Sequence, residues 1–119
     1  MAEGATLLTG TSQSIPGAVS VVKENGGIWM GVQWDTIPLA PENVLVSLVY
    51  DWTPILNDII SNMDEGVYGG KAYDLTFEQN GLKFVWNTEN MDIDPELIQL
   101  ADDLAAKVNA GEISPLPAE

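Results

Sequence analysis

Short apolar runs alternate along the chain with segments in which apolar residues recur every three or four positions. The runs predict β-strands, and the periodic segments predict amphipathic α-helices. The predicted strands are residues 5–8, 28–33, 44–49, 72–77 and 82–86, and the predicted helices begin near Ser14, Thr53 and Asp94. The resulting order, β-α-β-β-α-β-β-α, predicts an α/β fold in which helices cover a layered sheet.

Each predicted helix has a proline in its first turn, preceded by a residue suited to cap it. These pairs are Ser14 with Pro16, Thr53 with Pro54, and Asp94 with Pro95. Each helix also has one apolar face, which we expect to be buried. The residues of these faces are Ile15, Val19 and Val22; Ile55, Ile59 and Met63, with Leu56 and Ile60 beside them; and Leu97, Leu100, Ala101, Leu104, Ala105 and Val108.

A hairpin is predicted near residue 80. The tripeptide Gln79-Asn80-Gly81 would turn the chain between strands 72–77 and 82–86, because Asn and Gly both tolerate positive φ.

Three tryptophans are expected to pack, two of them in the core and one ahead of the second helix. They are Trp29, Trp86 and Trp52.

The composition excludes several classes of function. The 119 residues carry 18 acidic and 4 basic side chains, for a net charge of −14. Nucleic-acid binding needs clustered positive charge, so no nucleic acid is expected as a partner. Cysteine and histidine are absent, so a Ser-His or Cys-His nucleophile system cannot form and a zinc site would need only carboxylates. We expect no cofactor and no enzyme activity.

From the residues given, we expect neither a membrane span nor an export signal. No apolar run approaches the roughly 20 residues that a transmembrane helix needs. The first four residues lack the positive and apolar regions of a signal peptide. We therefore expect a chain that is either cytoplasmic or without its natural N-terminus.

Candidate ligand contacts lie in two polar loops. Ligands of open α/β sheets bind outside the carboxyl ends of strands, where residues 10–14 and 33–36 follow the first two predicted strands. Asp35 could accept hydrogen bonds from a diol or an amine, Trp34 could stack on a flat ring, and Ser12 could donate. The structural alternatives are capping by Asp35, packing by Trp34 and ordinary loop chemistry for Ser12.

The stretch from Asp35 to Pro54 carries the most specific resemblance to a known family, and residues 31–35 precede it with a further match. Gly31-Val32-Gln33-Trp34-Asp35 is similar to Gly-Val-Asp-Ser-Asp, and residues 40–54 follow Ala-Pro-x3-Leu-x3-Val-x2-Trp-x-Pro. Weaker matches at residues 4–8, 23–26, 64–68 and 110–113 extend the resemblance over nearly the whole chain. Together these segments resemble the basic membrane protein family, whose better-known members are ABC-transporter substrate-binding proteins for purine nucleosides.

This resemblance implies the C-terminal part of a type I periplasmic-binding-protein fold, in which two α/β lobes close on a ligand like a venus flytrap. Residues 1–36 and 74–119 would belong to the C-terminal lobe, and residues 43–70 would cross to the other lobe. Residues 36–43 and 69–73 would be hinge segments. The intact family member would be a periplasmic or cell-surface lipoprotein that delivers its ligand to the membrane permease of an ABC importer.

The resemblance also implies a function, which is to hold a small polar ligand, a purine nucleoside or a related compound, in a cleft between lobes. The expected ligand-binding residues are Ser12, Gln33, Trp34, Asp35 and Tyr50. Gln33 stands where nucleoside-binding members have an aspartate, and Tyr50 where they have a lysine, so the ligand is less closely defined. The alternative is an interaction module derived from such a binder, without a transport role, that forms homo-oligomers through exposed apolar faces.

Overall fold

The computed structural model describes residues 4–11 and 13–114, which belong to two compact units. The first unit is drawn from Met1–Val49 and Phe84–Ile98, and the second from Tyr50–Lys83 and Gln99–Glu119. The elements are β1 (Leu7–Thr9), α1 (Ile15–Glu24), β2 (Ile28–Gln33), a 3-10 turn (Ile37–Leu39), β3 (Val44–Tyr50), α2 (Thr53–Asp64), β4 (Leu82–Trp86) and α3 (Pro95–Asn109). The predicted α/β class is confirmed.

The four strands form one sheet in the order β1-β2-β3-β4. Strands β1, β2 and β3 run parallel, and the register pairs Leu8 with Trp29 and Val32 with Leu48. A bulge next to Trp29 shifts the register between β2 and β3. Because β1 and β2 point the same way, their carboxyl ends lie at one edge of the sheet.

Helix α1 packs on the sheet through the face that the sequence predicts. Ile15, Val19 and Val22 are at most 2% exposed. They form a core with Trp29, Ala40 and Val44, against which Leu8 and Ile37 pack. The predicted glycine ending is also confirmed, since the Gly27 N–H donates to the Val22 carbonyl at 2.9 Å and Gly26 has a φ of +63°.

The hairpin predicted around residue 80 is only partly present. Asn80 turns the chain with a φ of +56°, as expected, and β4 follows. Residues 72–77, however, form no strand, so the predicted order with five strands is wrong. The reason is that Lys71 and Tyr73 bind the carboxylate of Asp58 on α2, which holds this segment by side chains instead of a backbone ladder.

Strand β4 pairs with β3 rather than with residues 72–77. The Asp51 N–H donates to the Gly81 carbonyl at one end, and the Asn87 N–H donates to the Leu45 carbonyl at the other. These two bonds define an antiparallel pair, so the sheet is mixed, with one antiparallel strand at its edge.

A buried amide ties the residue after β4 to the loop before β3. Asn87 is 2% exposed, and its Nδ2 donates to the carbonyls of Pro41 at 2.6 Å and Val44 at 2.7 Å. Its Oδ1 accepts a hydrogen bond from Asn90 Nδ2 at 2.7 Å. Both donor hydrogens and the acceptor are therefore used, and these hydrogen bonds offset the cost of burying the polar amide.

The apolar faces of α2 and α3 are not buried as predicted. In α2 only Ile55 is buried, whereas Leu56, Ile60 and Met63 are 53%, 57% and 47% exposed. Helix α3 has no buried residue within the part of the chain that the structure describes. Its exposed leucines are Leu97, Leu100 and Leu104. The segment that follows α2, residues 65–81, contains no helix or strand that could cover the α2 face.

The three tryptophans that were expected to pack also differ in how far they are buried. Trp29 is 2% exposed and belongs to the core, as predicted, and Trp86 is half-buried. Trp52 is 53% exposed, so the expectation that it packs is wrong. No helix among the described residues is both long and apolar enough to cross a bilayer.

Candidate functional site

The carboxyl end of β2 presents three of the predicted ligand-binding residues on an exposed tip. Gln33 is the last residue of β2, and Trp34 and Asp35 follow it. Gln33 has a φ of +82°, a left-handed conformation that few residues other than glycine adopt. Trp34 is 41% exposed. A non-glycine residue held in this conformation is typical of loops whose geometry serves a function.

A buried pair of hydroxyls fixes the backbone immediately after the tip. Thr36 and Ser47 are both fully buried, and their Oγ atoms lie 3.1 Å apart. The Thr36 N–H also donates to Ser47 Oγ at 3.0 Å. Hydrogen bonds shielded from water hold a polar pair firmly, because breaking either one leaves a buried group unsatisfied. The loop is therefore fastened to β3.

Gly31 makes room for this pair of hydroxyls. A methyl group on Gly31 would lie 2.3 Å from Thr36 Oγ1 and 2.7 Å from Ser47 Oγ. Both distances are far shorter than van der Waals contact, so any larger residue would displace the loop. The glycine in β2 is thus part of what positions the tip.

Asp35 has the capping role that was one of its two predicted interpretations. Its Oδ1 accepts a hydrogen bond from the Ile37 N–H at 3.0 Å, at the start of the 3-10 turn. Within the described residues no donor contacts the other carboxylate oxygen. One oxygen therefore shapes the loop, and Oδ2 is left for a hydroxyl or an amine.

The remaining two predicted residues are placed differently. Ser12 lies outside the described residues. Tyr50 is the last residue of β3 and the first of the second unit, and it is half-buried. At the end of β1, the Thr9 hydroxyl donates to the Met30 carbonyl at 2.8 Å. The described part of the candidate site therefore consists of Gln33, Trp34 and Asp35.

A polar cluster in the second unit was not predicted from the sequence. Asp58 Oδ2 accepts hydrogen bonds from Lys71 Nζ at 2.5 Å, Tyr73 Oη at 2.8 Å and Asn62 Nδ2 at 2.9 Å. The Lys71 ammonium also lies 4.9 Å from the centre of the Tyr73 ring, in cation–π range. The cluster fastens residues 71–73 to α2.

The directions of the pKa shifts in this cluster do not favour a role in proton transfer. The hydrogen bond from Lys71, followed by that from Tyr73, lowers the pKa of Asp58. The same contact with Asp58 raises the pKa of Lys71. Partial burial, followed by the bond to Asp58, raises the pKa of Tyr73. Each of these three pKa values is moved further from pH 7, whereas a general acid or base works best with a pKa near the working pH.

Two grooves flank Lys71 and Tyr73. One has a volume of about 460 Å³ and is lined largely by polar residues, among them Asp58, Asp74 and Gln79. The other has a volume of about 430 Å³, and we call it the α2 groove. Its walls are Ile59, Met63, Val67, Tyr68 and Tyr73, with Lys71 at one side. Both volumes lie in the range of small binding pockets.

Only the spacing of its residues along the sequence could have indicated the polar cluster around Asp58. Asp58 and Asn62 lie one turn apart on α2, and Lys71 and Tyr73 alternate along an extended segment. The intervening loop contains Gly66, Gly69 and Gly70, all with positive φ, so no periodicity connects the two pairs. Among the described residues, no group of three or more potential ligands is arranged to hold a metal ion.

Comparison with known proteins identifies no family for this chain, so a functional proposal has to rest on the geometry of the site. No model of a protein family matches this chain, and no curated protein matches it at a significant level. The resemblance to the basic membrane protein family therefore stays a prediction.

Proposed function

We propose that the protein is a binding protein that takes a small polar ligand at the carboxyl end of β2. Gln33, Trp34 and Asp35 contact the ligand. The observation that carries this proposal is the contrast at the tip, where the side chains of Gln33 and Trp34 are exposed and the backbone behind them is fixed by the buried Thr36–Ser47 pair. The position is the one at which open α/β sheets bind ligands.

The chemistry of the tip favours a ligand with a flat ring and neighbouring hydroxyls or an amine. The Trp34 indole offers a stacking surface, and the Gln33 amide can both donate and accept. Asp35 Oδ2 accepts from a diol or an ammonium group. The net charge of −14 disfavours anions such as nucleotides. A nucleoside, a base or a related neutral or cationic compound fits these conditions.

The wider setting of this function rests on the resemblance alone. A basic membrane protein family member would act as the solute-binding component of an ABC importer and pass the ligand to a membrane permease. It would do so as a periplasmic or cell-surface lipoprotein. These features belong to the proposal and are separable from ligand binding at the tip.

Thermal unfolding and isothermal titration calorimetry with a panel of nucleosides and nucleobases test the proposal. A ligand present at 100 times its Kd adds about 2.7 kcal/mol to the stability of the folded chain. Trp34→Ala should abolish that gain. Asp35→Asn should weaken binding while keeping the loop, because the amide oxygen can still accept the Ile37 N–H.

Trp52→Ala is the matched control, since Trp52 is also exposed but lies ahead of α2. It should bind the ligand as the wild-type chain does. If no compound of the panel stabilises the protein, or if Trp52→Ala loses binding as fully as Trp34→Ala, the tip is not the binding site.

The exposed side of α3 supports a second candidate function, which is self-association. Leu100 and Leu104 lie one turn apart and are 56% and 44% exposed. A second copy packed on them would remove this surface from water. Light scattering should then show a dimer that Leu100→Glu converts to a monomer, and a monomeric wild-type chain would rule this function out.

A further inference from the structure

We propose that the α2 groove binds a small molecule that carries a single carboxylate on an apolar body. The body lies against Ile59, Met63 and Val67, and the carboxylate accepts hydrogen bonds from the Lys71 ammonium. The residues of this site belong to the second unit and those of the β2 tip to the first, so the two proposals stand independently.

The volume of the groove suits a small molecule. It is about 430 Å³, which lies in the range of ligand pockets, whose walls are typically apolar with a few polar groups that orient the ligand. Every lining residue comes from Tyr50–Lys83, so the groove is formed within one segment of the second unit.

Most of the lining suits an apolar body. Ile59 and Met63 lie one turn apart on α2, Val67 follows the helix, and Tyr68 and Tyr73 add aromatic rings. Met63 and Val67 are 47% and 48% exposed, and Ile59 is half-buried. An apolar ligand that contacts these side chains removes their surface and its own from water, which favours binding.

The charge in the groove is positive, in contrast to the chain as a whole. Lys71 is the one charged side chain among the described residues that line it. The carboxylate that pairs with Lys71 belongs to Asp58, which lines the neighbouring polar groove instead. An occupant of the α2 groove therefore meets the ammonium, and a carboxylate forms the strong, charge-assisted hydrogen bonds that an ammonium can donate.

Lys71 has donor capacity left for such a ligand. An ammonium has three N–H donors, and within the described part of the chain Asp58 is the one side chain that accepts from it. The other side-chain donors of the groove are already engaged. Asn62 Nδ2 donates to Asp58 Oδ2 at 2.9 Å, and Tyr73 Oη donates to the same oxygen at 2.8 Å. Lys71 is thus the donor that can orient a ligand.

The net charge of −14 does not prevent one carboxylate from binding here. At physiological ionic strength charges farther away than about 8 Å are largely screened, whereas the ligand carboxylate contacts Lys71 directly. Asp64 and Glu65 at the end of α2 do not line the groove. The bond to Asp58 raises the pKa of Lys71, so the ammonium stays charged at neutral pH. The surrounding negative charge disfavours ligands with several carboxylates or phosphates.

The groove is already formed without an occupant. At the end of α2, the Val67 N–H donates to the Asn62 carbonyl at 2.8 Å and the Gly66 N–H donates to the Met63 carbonyl at 3.0 Å. These bonds fix the backbone that carries the Val67 wall. On the other side, the bond to Asp58 fixes Tyr73. A preformed site spares the entropy of ordering its walls on binding.

Three probes with the same apolar body and different head groups test the proposal on the full-length chain. They are phenylpropanoate, its uncharged amide and the corresponding amine. Titrations followed by NMR should show that the acid binds about fivefold more tightly than the amide and that the amine binds most weakly, because only the acid pairs with Lys71. The backbone amide signals of residues 67–71 should shift.

Matched variants separate the contact with Lys71 from general damage to the groove. Lys71→Met should bind the acid no more tightly than the amide while its affinity for the amide is unchanged, and Lys71→Arg should keep the preference for the acid. Lys83→Met is the control, since Lys83 is also an ion-paired and half-exposed lysine of the second unit but does not line the groove. It should bind all three probes as the wild type does.

A second pair of variants tests the apolar wall. Met63→Ser should weaken the acid and the amide alike, by several-fold, whereas Leu56→Ser changes an equally exposed residue of α2 outside the groove and should leave both unchanged.

Several results would overturn the proposal. They are equal or tighter binding of the amide or the amine, a preference for the acid that survives Lys71→Met or disappears in Lys83→Met, and no binding of any probe. Loss of acid binding in Trp34→Ala would also overturn it, since the probe would then occupy the tip of β2.

Discussion

Helices α1 and α2 carry the same kind of sequence pattern, but their apolar faces are buried to different extents. Both have a proline in the first turn and aliphatic residues that repeat every three or four positions. In α1 the residues of that stripe, from Ile15 to Val22, are at most 2% exposed. In α2, Ile55 is 7% exposed and Ile59 is half-buried, whereas Met63 and the neighbouring Leu56 and Ile60 are 47%, 53% and 57% exposed.

The difference shows that a periodic pattern identifies an apolar face without showing what covers it. Helix α1 connects two adjacent parallel strands, a connection that brings the helix back onto the sheet. Helix α2 is followed by residues 65–81, which contain no helix or strand and leave Leu56, Ile60 and Met63 exposed. Coverage therefore depends on the topology of the chain, and an uncovered stripe is itself a signal of interaction.

The strongest test of this comparison is a pair of identical substitutions, one in each helix. Ile15→Ala removes a buried side chain and should lower the free energy of unfolding by about 2–5 kcal/mol. Ile60→Ala removes an exposed one and should change it by no more than about 0.5 kcal/mol. Urea denaturation followed by circular dichroism measures both. Equal losses in the two variants would mean that the face of α2 is covered in solution.

A pair of glycine substitutions tests the packing of the first unit at a finer scale. Gly31→Ala places a methyl group against Thr36 and Ser47, and overpacking of this kind should cost about 1–3 kcal/mol of stability. Gly17→Ala in α1 meets nothing within 4 Å and should add about 0.5–1 kcal/mol, because glycine is a poor helix residue. Thermal unfolding of the two variants measures both effects.

The same pair also reports on the candidate site. Gly31→Ala should weaken ligand binding at the tip, since the Thr36–Ser47 pair positions it, whereas Gly17→Ala should leave binding unchanged. If Gly31→Ala is as stable as the wild type, the close packing of these hydroxyls is not what holds the loop.

Local signals in the sequence were enough to predict much of the first unit. The bounds of β2, the glycine ending of α1 and its buried face all depend on neighbouring residues, and all are confirmed. The strand predicted at residues 72–77 depended on the hairpin signal at Gln79-Asn80-Gly81. It is absent because Lys71 and Tyr73 bind a carboxylate 13 and 15 residues earlier in the chain, a contact that no local pattern encodes.

The candidate site was also predictable only in part from local sequence. The position of Gln33, Trp34 and Asp35 at the end of β2 followed from the strand prediction. The support behind them did not, because Thr36 and Ser47 lie 11 residues apart and meet only through the parallel register that opposes Gly31 to Ser47. The Asp58 cluster was missed for the same reason, since it joins a helix to an irregular segment.

The smallest expected effect is a loss of stability at low pH. It distinguishes the two units by the kind of contact that stabilises each of them. Both ion pairs among the described residues lie in Tyr50–Lys83 of the second unit. Hydrogen bonds from Thr53, with a further contribution from Lys83, lower the pKa of Asp51 from its ordinary 3.8 to about 2. The pKa of Asp58 is lowered as well, mainly by Lys71.

A carboxylate whose pKa is lower in the folded than in the unfolded chain stabilises the fold above the unfolded value. For Asp51 this contribution is present above pH 3.8 and is lost as the pH falls towards about 2. Hydrogen exchange should therefore show that α2 loses protection over this interval while α1, held by buried apolar contacts, retains it. Asp51→Asn should reduce this pH dependence. If α1 and α2 lose protection together, and do so in Asp51→Asn as well, the two units open as one and the contrast between their helices lies in exposure alone.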